Sequence, residues 1–167
     1  MAIAKTLKSY LEKHKVDYKL VEHPYSATAL EAAHAAQVPG DHVAKAVVLE
    51  DADGYVVAVV PSTHRLDIAW VGETMGRQLE LAEEYELSRL FKDCDFGAVP
   101  ALSDAYGLDV VWDEQLEGLP DVYVEAGDHE HLIHIDGDAF ARLMSGQPHS
   151  VISAERGYSD LHDHDGG

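Results

Sequence analysis

The sequence has a single cysteine, Cys94, so no internal disulfide is open to it. That is the usage of a reducing compartment, and a cytoplasmic protein is expected. Long apolar runs are missing as well: no stretch approaches the roughly 20 residues that cross a bilayer. The opening MAIAKTLKSYLEKHKV lacks the apolar centre of a secretory signal, so neither export nor a membrane partner is expected. Basic residues are scarce, with 12 Lys and Arg against 31 Asp and Glu, a net charge of −19. A surface of that sign gives no broad attraction for nucleic acid. The deficit is uneven, because Lys5, Lys8, Lys13, Lys15 and Lys19 against Glu12 and Asp17 leave the first 19 residues at +3. Several chemical signatures are absent too: GxxxxGK[ST], a GxGxxG after a strand, HExxH and GxSxG.

What is present is a chain of 167 residues, 46% hydrophobic and 26% charged, the composition of one globular domain. Ile3, Leu7, Tyr10, Leu11 and His14 at three- and four-residue spacings predict a helix over 2–15. Tyr18–Val21 reads as a short strand. Thr28-Ala29-Leu30-Glu31 is a capping-box sequence that starts an alanine-rich helix ending near Pro39-Gly40. Val43–Leu49 and Tyr55–Val60, joined by Asp51-Ala52-Asp53-Gly54, predict a β-hairpin. The second of these runs is apolar throughout, as in a strand covered on both faces. A helix over 66–75, with His64 at its entrance, a strand over 78–82 and a helix over 83–91 follow. Three strands over 109–112, 122–125 and 131–135 and a helix around Phe140, Leu143 and Met144 complete the pattern. Strands and helices mix without strict alternation, which predicts an α/β or α+β domain over 1–145 built on a mixed sheet. A flexible tail is expected over 146–167.

Lys45 is out of place. It falls on the same face as Val43, Val47 and Leu49 of the first hairpin strand, and an ammonium is costly to desolvate. Either its stem covers apolar surface with the charge reaching an edge, or the charge meets something negative. Gly97-Ala98-Val99-Pro100 is a turn by composition, and such a turn can aim backbone N–H groups at a carbonyl oxygen or phosphate. Cys94, between Asp93 and Asp95, has flanking charges that raise a thiol pKa, which speaks against a nucleophile. His129, His131 and His134 with nearby carboxylates match no zinc spacing, and neither a metal nor a cofactor is expected.

Taken in order, these pieces resemble the YbaK family, the prolyl-tRNA synthetase-associated domain. The resemblance rests on Lys45 within Val43–Leu49, the hairpin into Ala58-Val59-Val60-Pro61, His64-Arg65-Leu66-Asp67, the Gly97–Pro100 loop, and Val122-Tyr123-Val124-Glu125-Ala126-Gly127 before a last helix. It implies a mixed, partly barrel-like sheet surrounded by helices. It also implies hydrolysis of the ester linking a wrong amino acid to a tRNA 3′ end, with the acceptor end of that tRNA, and possibly a synthetase, as partners. Carried over residue by residue, it gives Lys45 a contact to the 3′-terminal substrate, and Gly97, Ala98, Val99 and Pro100 contacts to the aminoacyl group. Glu125 and His129 become candidates to orient water. The chain departs from the family at Phe96, where many relatives have glycine, and at Ala46, where some have asparagine; Phe96 is then a candidate pocket wall. Two other readings stay open: a binding module for an aminoacyl or nucleotide-like ligand without turnover, and a metal-dependent hydrolase using His129 and His131.

Overall fold

The structure is a computed structural model that describes residues 2–156. Its elements in chain order are α1 (Lys5–Lys13), β1 (Lys19–Glu22), α2 (Ala29–Ala36), β2 (Val43–Asp51), β3 (Gly54–Pro61), β4 (His64–Leu66), α3 (Ile68–Met75), β5 (Glu80–Leu81) and α4 (Glu84–Leu90). They continue with β6 (Asp109–Asp113), β7 (Asp121–Glu125), β8 (His131–Asp136), α5 (Gly137–Met144), β9 (His149–Ser150) and β10 (Ser153–Glu155). The main sheet runs β1-β8-β7-β2-β3-β6-β9, with β5 added to β2 and β10 paired to β4 apart from it. The pairs β2–β7, β3–β6 and β6–β9 are parallel and the other pairs of this sheet antiparallel. The sheet is therefore mixed and open, with no closure into a barrel.

The hairpin of β2 and β3 is the centre of the molecule because its residues have no polar face to give to water. Val56 to Val60 are all fully buried. On one face α1 and α5 press Leu7, Leu11, Phe140 and Leu143 onto Val48, Val57 and Val59. The opposite face is covered in two patches. Val47, Leu49, Val56 and Val60 pack with Val71 of α3, whereas Val43 packs with Ala32 and Ala33 of α2 and with Leu132. Lys45 lies on β2 between these two patches, where the helical cover changes from α2 to α3.

The edge of β2 also divides there. Val43 and Ala44 pair with Tyr123 and Val124 of β7, and Leu49 and Glu50 pair with Leu81 and Glu80 of β5. Between them, among the described residues, the strand has β3 on one side only, apart from the Ala82 N–H that reaches the Val48 carbonyl at 3.0 Å. A twisted sheet whose two neighbours diverge in this way leaves a cleft.

The structured chain runs past residue 145, where the sequence pattern fades and a tail is expected. Asp113, at the end of β6, is completely buried and holds this segment. Its Oδ2 accepts from the Ile152 N–H (3.2 Å) and the Ser153 hydroxyl (2.5 Å), and its Oδ1 from the Gln115 N–H (2.8 Å). Ser153 Oγ also lies 2.9 Å from His64 Nδ1. Fully buried Ile152 adds apolar fixation, so 149–156 forms a strap across the body of the domain. Its pattern is illegible because polar side chains that meet only in the fold carry it. His64 accordingly begins the short strand β4 rather than a helix; α3 starts at Ile68, capped by Asp67, whose Oδ1 accepts from the Trp70 N–H. The remainder of the expected tail, 157–167, lies outside the described residues.

Candidate functional site

The cleft beside β2 opens into a cavity of about 840 Å³ lined by Lys45, Phe96, Gly97, Ala98, Val99, Glu125 and His129, among others. Residues separated by 84 positions in sequence thus meet at one place, and of the expected site residues only Pro100 does not line it. Pro100 is buried behind the turn, its carbonyl accepting from the Ser103 hydroxyl at 2.6 Å. Lys45 is 8% exposed, stands on β2 between the two apolar patches and lines the cavity.

The Gly97 turn is supported from beneath by His129. Gly97 adopts φ +78°, a left-handed conformation that a β-carbon disfavours. An added β-carbon there would lie 3.8 Å from the His129 ring. The ring is buried and both nitrogens face carbonyl oxygens: Nε2 is 2.7 Å from Phe96 O, and Nδ1 is 3.1 Å from Ser26 O. The Ser26 N–H donates to the His129 carbonyl at 3.0 Å, and the Asp95 N–H to the Gly127 carbonyl at 2.8 Å. Three segments, 24–26, 95–97 and 127–129, are therefore tied into one wall. Within the turn the Ala98 N–H is spent on the Asp95 carbonyl at 3.0 Å.

Glu125 ends β7 with its carboxylate turned back on the chain. Oε2 accepts from the N–H groups of Gly127 (2.8 Å), Asp128 (3.1 Å) and His129 (3.2 Å), which shapes the turn carrying His129. Burial pushes its pKa up, and the three N–H groups and the His129 ring offset part of that rise. His129 itself sits in this turn at φ +63°, beyond the end of the strand. Gly127, at φ +117°, lets the turn close against Ala4 and Cys94, whose Sγ is 3.2 Å from where a β-carbon would stand. Cys94 is a packing residue: burial first, with Asp93 beside it, pushes its thiol up to about 12.

Two exposed rings flank the cavity, Tyr25 at 65% and Phe96 at 64%. Tyr25 lies against the His129 ring with centroids 4.9 Å apart. Phe96 is thus at the rim rather than packed inside. The other histidines diverge from the cavity. His131 Nδ1 pairs with Asp128 Oδ2 at 2.7 Å, and His134 Nε2 with Asp121 Oδ1 at 2.8 Å while stacking on Tyr123. Among the described residues no group of three or more His, Cys, Asp or Glu side chains is placed to hold a metal ion. The sequence reading did not find Tyr25, or Arg156, which reaches the cavity from the end of the strap. Tyr25 carried only a weak signal, an aromatic beside a proline; Arg156 carried none. A broader depression lined by Glu50, Asp51, Glu73, Arg77 and Glu80 lies apart from this site.

This architecture is shared with crystal structures of known fold. The hypothetical protein APE2540 superposes with a TM-score of 0.78 at 21% identity, covering 90% of this chain and 100% of that one. A candidate trans-editing enzyme for prolyl-tRNA synthetase superposes at 0.75 with 26% identity, covering 92% and 97%. The chain belongs to the aminoacyl-tRNA editing domain family, whose sequence model matches residues 23–143. No curated protein matches it. Among the described residues no helix is long and apolar enough to cross a membrane.

Proposed function

We propose that this protein deacylates mischarged tRNA in trans, with the aminoacylated 3′ end seated in the cavity beside β2. The observation that carries the reading is the meeting of buried Lys45 with the Gly97–Val99 turn at a single cavity, in a chain of the editing family. In this reaction the oxygen of a water attacks the ester carbonyl carbon and the bond to the ribose oxygen breaks. The water's proton goes to that oxygen, leaving a free amino acid and an intact 3′ terminus. An aminoacyl ester is activated already, so positioning and oxyanion stabilisation do most of what is needed. Lys45 sets its charge against the terminal phosphate. The N–H groups of Gly97 and Val99 are the candidate oxyanion donors, since that of Ala98 is occupied within the turn.

His129 and Glu125 act as positioning residues in this scheme. Both His129 nitrogens lie against carbonyl oxygens and Glu125 Oε2 accepts from three N–H groups, contacts that hold the wall in shape. A neighbouring ribose hydroxyl is positioned by the same wall to assist the attack. The same observation favours a second reading, a module that binds the aminoacyl end without turning it over. A deacylation panel separates the two: tRNA-Pro carrying Ala or Cys, and Ser- and Thr-tRNAs, each with wild type and Lys45→Ala. Hydrolysis of one species, lost in the variant, is expected. Binding of the panel without hydrolysis would establish the module instead.

A further inference from the structure

We propose that Arg156, delivered by the C-terminal strap, binds a backbone phosphate of the substrate's 3′-terminal nucleotides. The proposal rests on the editing reading and extends it to a residue outside the 23–143 span that the family matches. Its basis is placement. β10 pairs with β4 so that Glu155 stands opposite His64, and the Arg156 N–H then reaches the Thr63 carbonyl at 3.4 Å. Thr63 follows Ser62, itself on the cavity wall, and Pro61, which pairs with Ala44 next to Lys45. Arg156 is thus fixed by its backbone at the end of the hairpin where Lys45 stands. Among the described residues, Lys45 and Arg156 are the lysine and arginine side chains that line the cavity.

The chemistry of the ligand decides which of its groups these cations can bind. An aminoacyl ester has no free carboxylate, and its α-ammonium would be repelled by arginine. The anions at such an end are the phosphodiesters, and a guanidinium matches two phosphate oxygens with a planar pair of donors. Buried Asp113, holding Ile152 and Ser153, makes the strap stiff enough to present that fork. In a chain with 12 basic residues and a charge of −19, no general attraction substitutes for these two contacts.

The test compares two substrates with the full chain: an aminoacylated RNA minihelix of the species that wild type hydrolyses, and the same amino acid esterified to adenosine, which has no phosphate. For Arg156→Gln the ratio of kcat/KM values, minihelix over adenosine ester, is expected to fall about tenfold, the loss of one charge-assisted contact. Arg156→Lys, which keeps the charge without the fork, should recover part of it. The salt dependence of minihelix binding should become shallower in Arg156→Gln by about 0.7 in logarithmic slope. An unchanged ratio and an unchanged slope would overturn the proposal; if Arg156→Gln loses its fold, the same two readouts on Arg156→Lys decide, with an unaltered ratio counting against. A wild-type protein that neither hydrolyses nor binds either substrate would refute the editing reading itself, a result distinct from an active enzyme indifferent to Arg156.

Discussion

Replacing Lys45 by methionine and by alanine separates what its stem does from what its charge does. The side chain is 8% exposed and fills the seam between the patches under α2 and α3. Truncation to alanine removes three methylenes from that seam, at about 0.8 kcal/mol each, so Lys45→Ala should cost about 2 kcal/mol. In a domain of this size that is a fall in Tm of roughly 4–8 °C. Methionine keeps nearly the same length and volume, and with them most of the apolar contact of the stem. Lys45→Met should therefore lie closer to wild type in Tm than Lys45→Ala does. Activity should not follow stability. With Lys45 meeting the terminal phosphate as proposed, both variants lose a charge-assisted contact of about 1.5–3 kcal/mol, so kcat/KM for the edited aminoacyl-tRNA should drop about 10–150-fold in each. Thermal unfolding followed by circular dichroism and a single-turnover deacylation assay measure the two quantities on the same preparations. Full activity in Lys45→Met would refute the argument, because it would show that the stem alone accounts for a lysine in this strand.

Two further perturbations probe the frame around the site. At Gly137, the first residue of α5, an added β-carbon would stand 1.6 Å from the Leu119 carbonyl oxygen, while the residue's N–H donates to Pro120 O at 2.8 Å. Gly137→Ala should thus destabilise by on the order of 3 kcal/mol, and a Tm within about 2 °C of wild type would show that the junction relaxes freely. Arg77 grips Asp51 through two bonds of 2.8 and 2.6 Å, and this pairing, with the Asp53 and Gly54 N–H groups, holds the Asp51 carboxyl at about 2. Because the folded pKa lies below the unfolded value of about 3.9, the pair's stabilisation is complete above that pH and is lost as pH falls towards 2. The stability difference between wild type and Arg77→Gln, from urea titrations, should hold from neutral pH to about pH 4 and shrink below it; a difference that does not change with pH would assign the effect to packing of the guanidinium.

Local sequence carried most of the architecture because most of it is local. The hairpin is written in Val43–Pro61 by β-branched runs around Asp-Ala-Asp-Gly, and α2 begins at Thr28, whose hydroxyl accepts from the Glu31 N–H as the capping sequence implies. The lysine could be seen as anomalous from alternation alone, since period two put it on a face with Val43 and Leu49. What could not be seen was the seam that makes the anomaly tolerable. That seam depends on where α2 stops and α3 starts over the sheet, and on β7 and β5 taking opposite ends of one strand edge. Resemblance singled out Glu125 and His129, and both line the cavity, but their contacts follow from the turn at 126–130 and from carbonyls at 26 and 96. The strap was illegible for the same reason. Asp113, Ser153 and His64 are ordinary polar residues until the fold buries them together.

The acidity of the chain and the editing role are compatible once range is considered. At physiological ionic strength surface charges are screened over about 8 Å, so the −19 governs how RNA approaches and has little hold on a nucleotide already inside a cleft. An acidic surface weakens non-specific binding along the RNA backbone, which is the part of affinity most dependent on general charge. In the proposed scheme what remains comes from short-range contacts: Lys45 and Arg156 for phosphate, turn N–H groups for the carbonyl, and the exposed rings of Tyr25 and Phe96 at the rim. Recognition built this way depends on a free, unpaired 3′ end that fits a cavity of about 840 Å³. Under the proposed deacylation it suits a protein that samples many tRNAs and retains those bearing the ester to be hydrolysed.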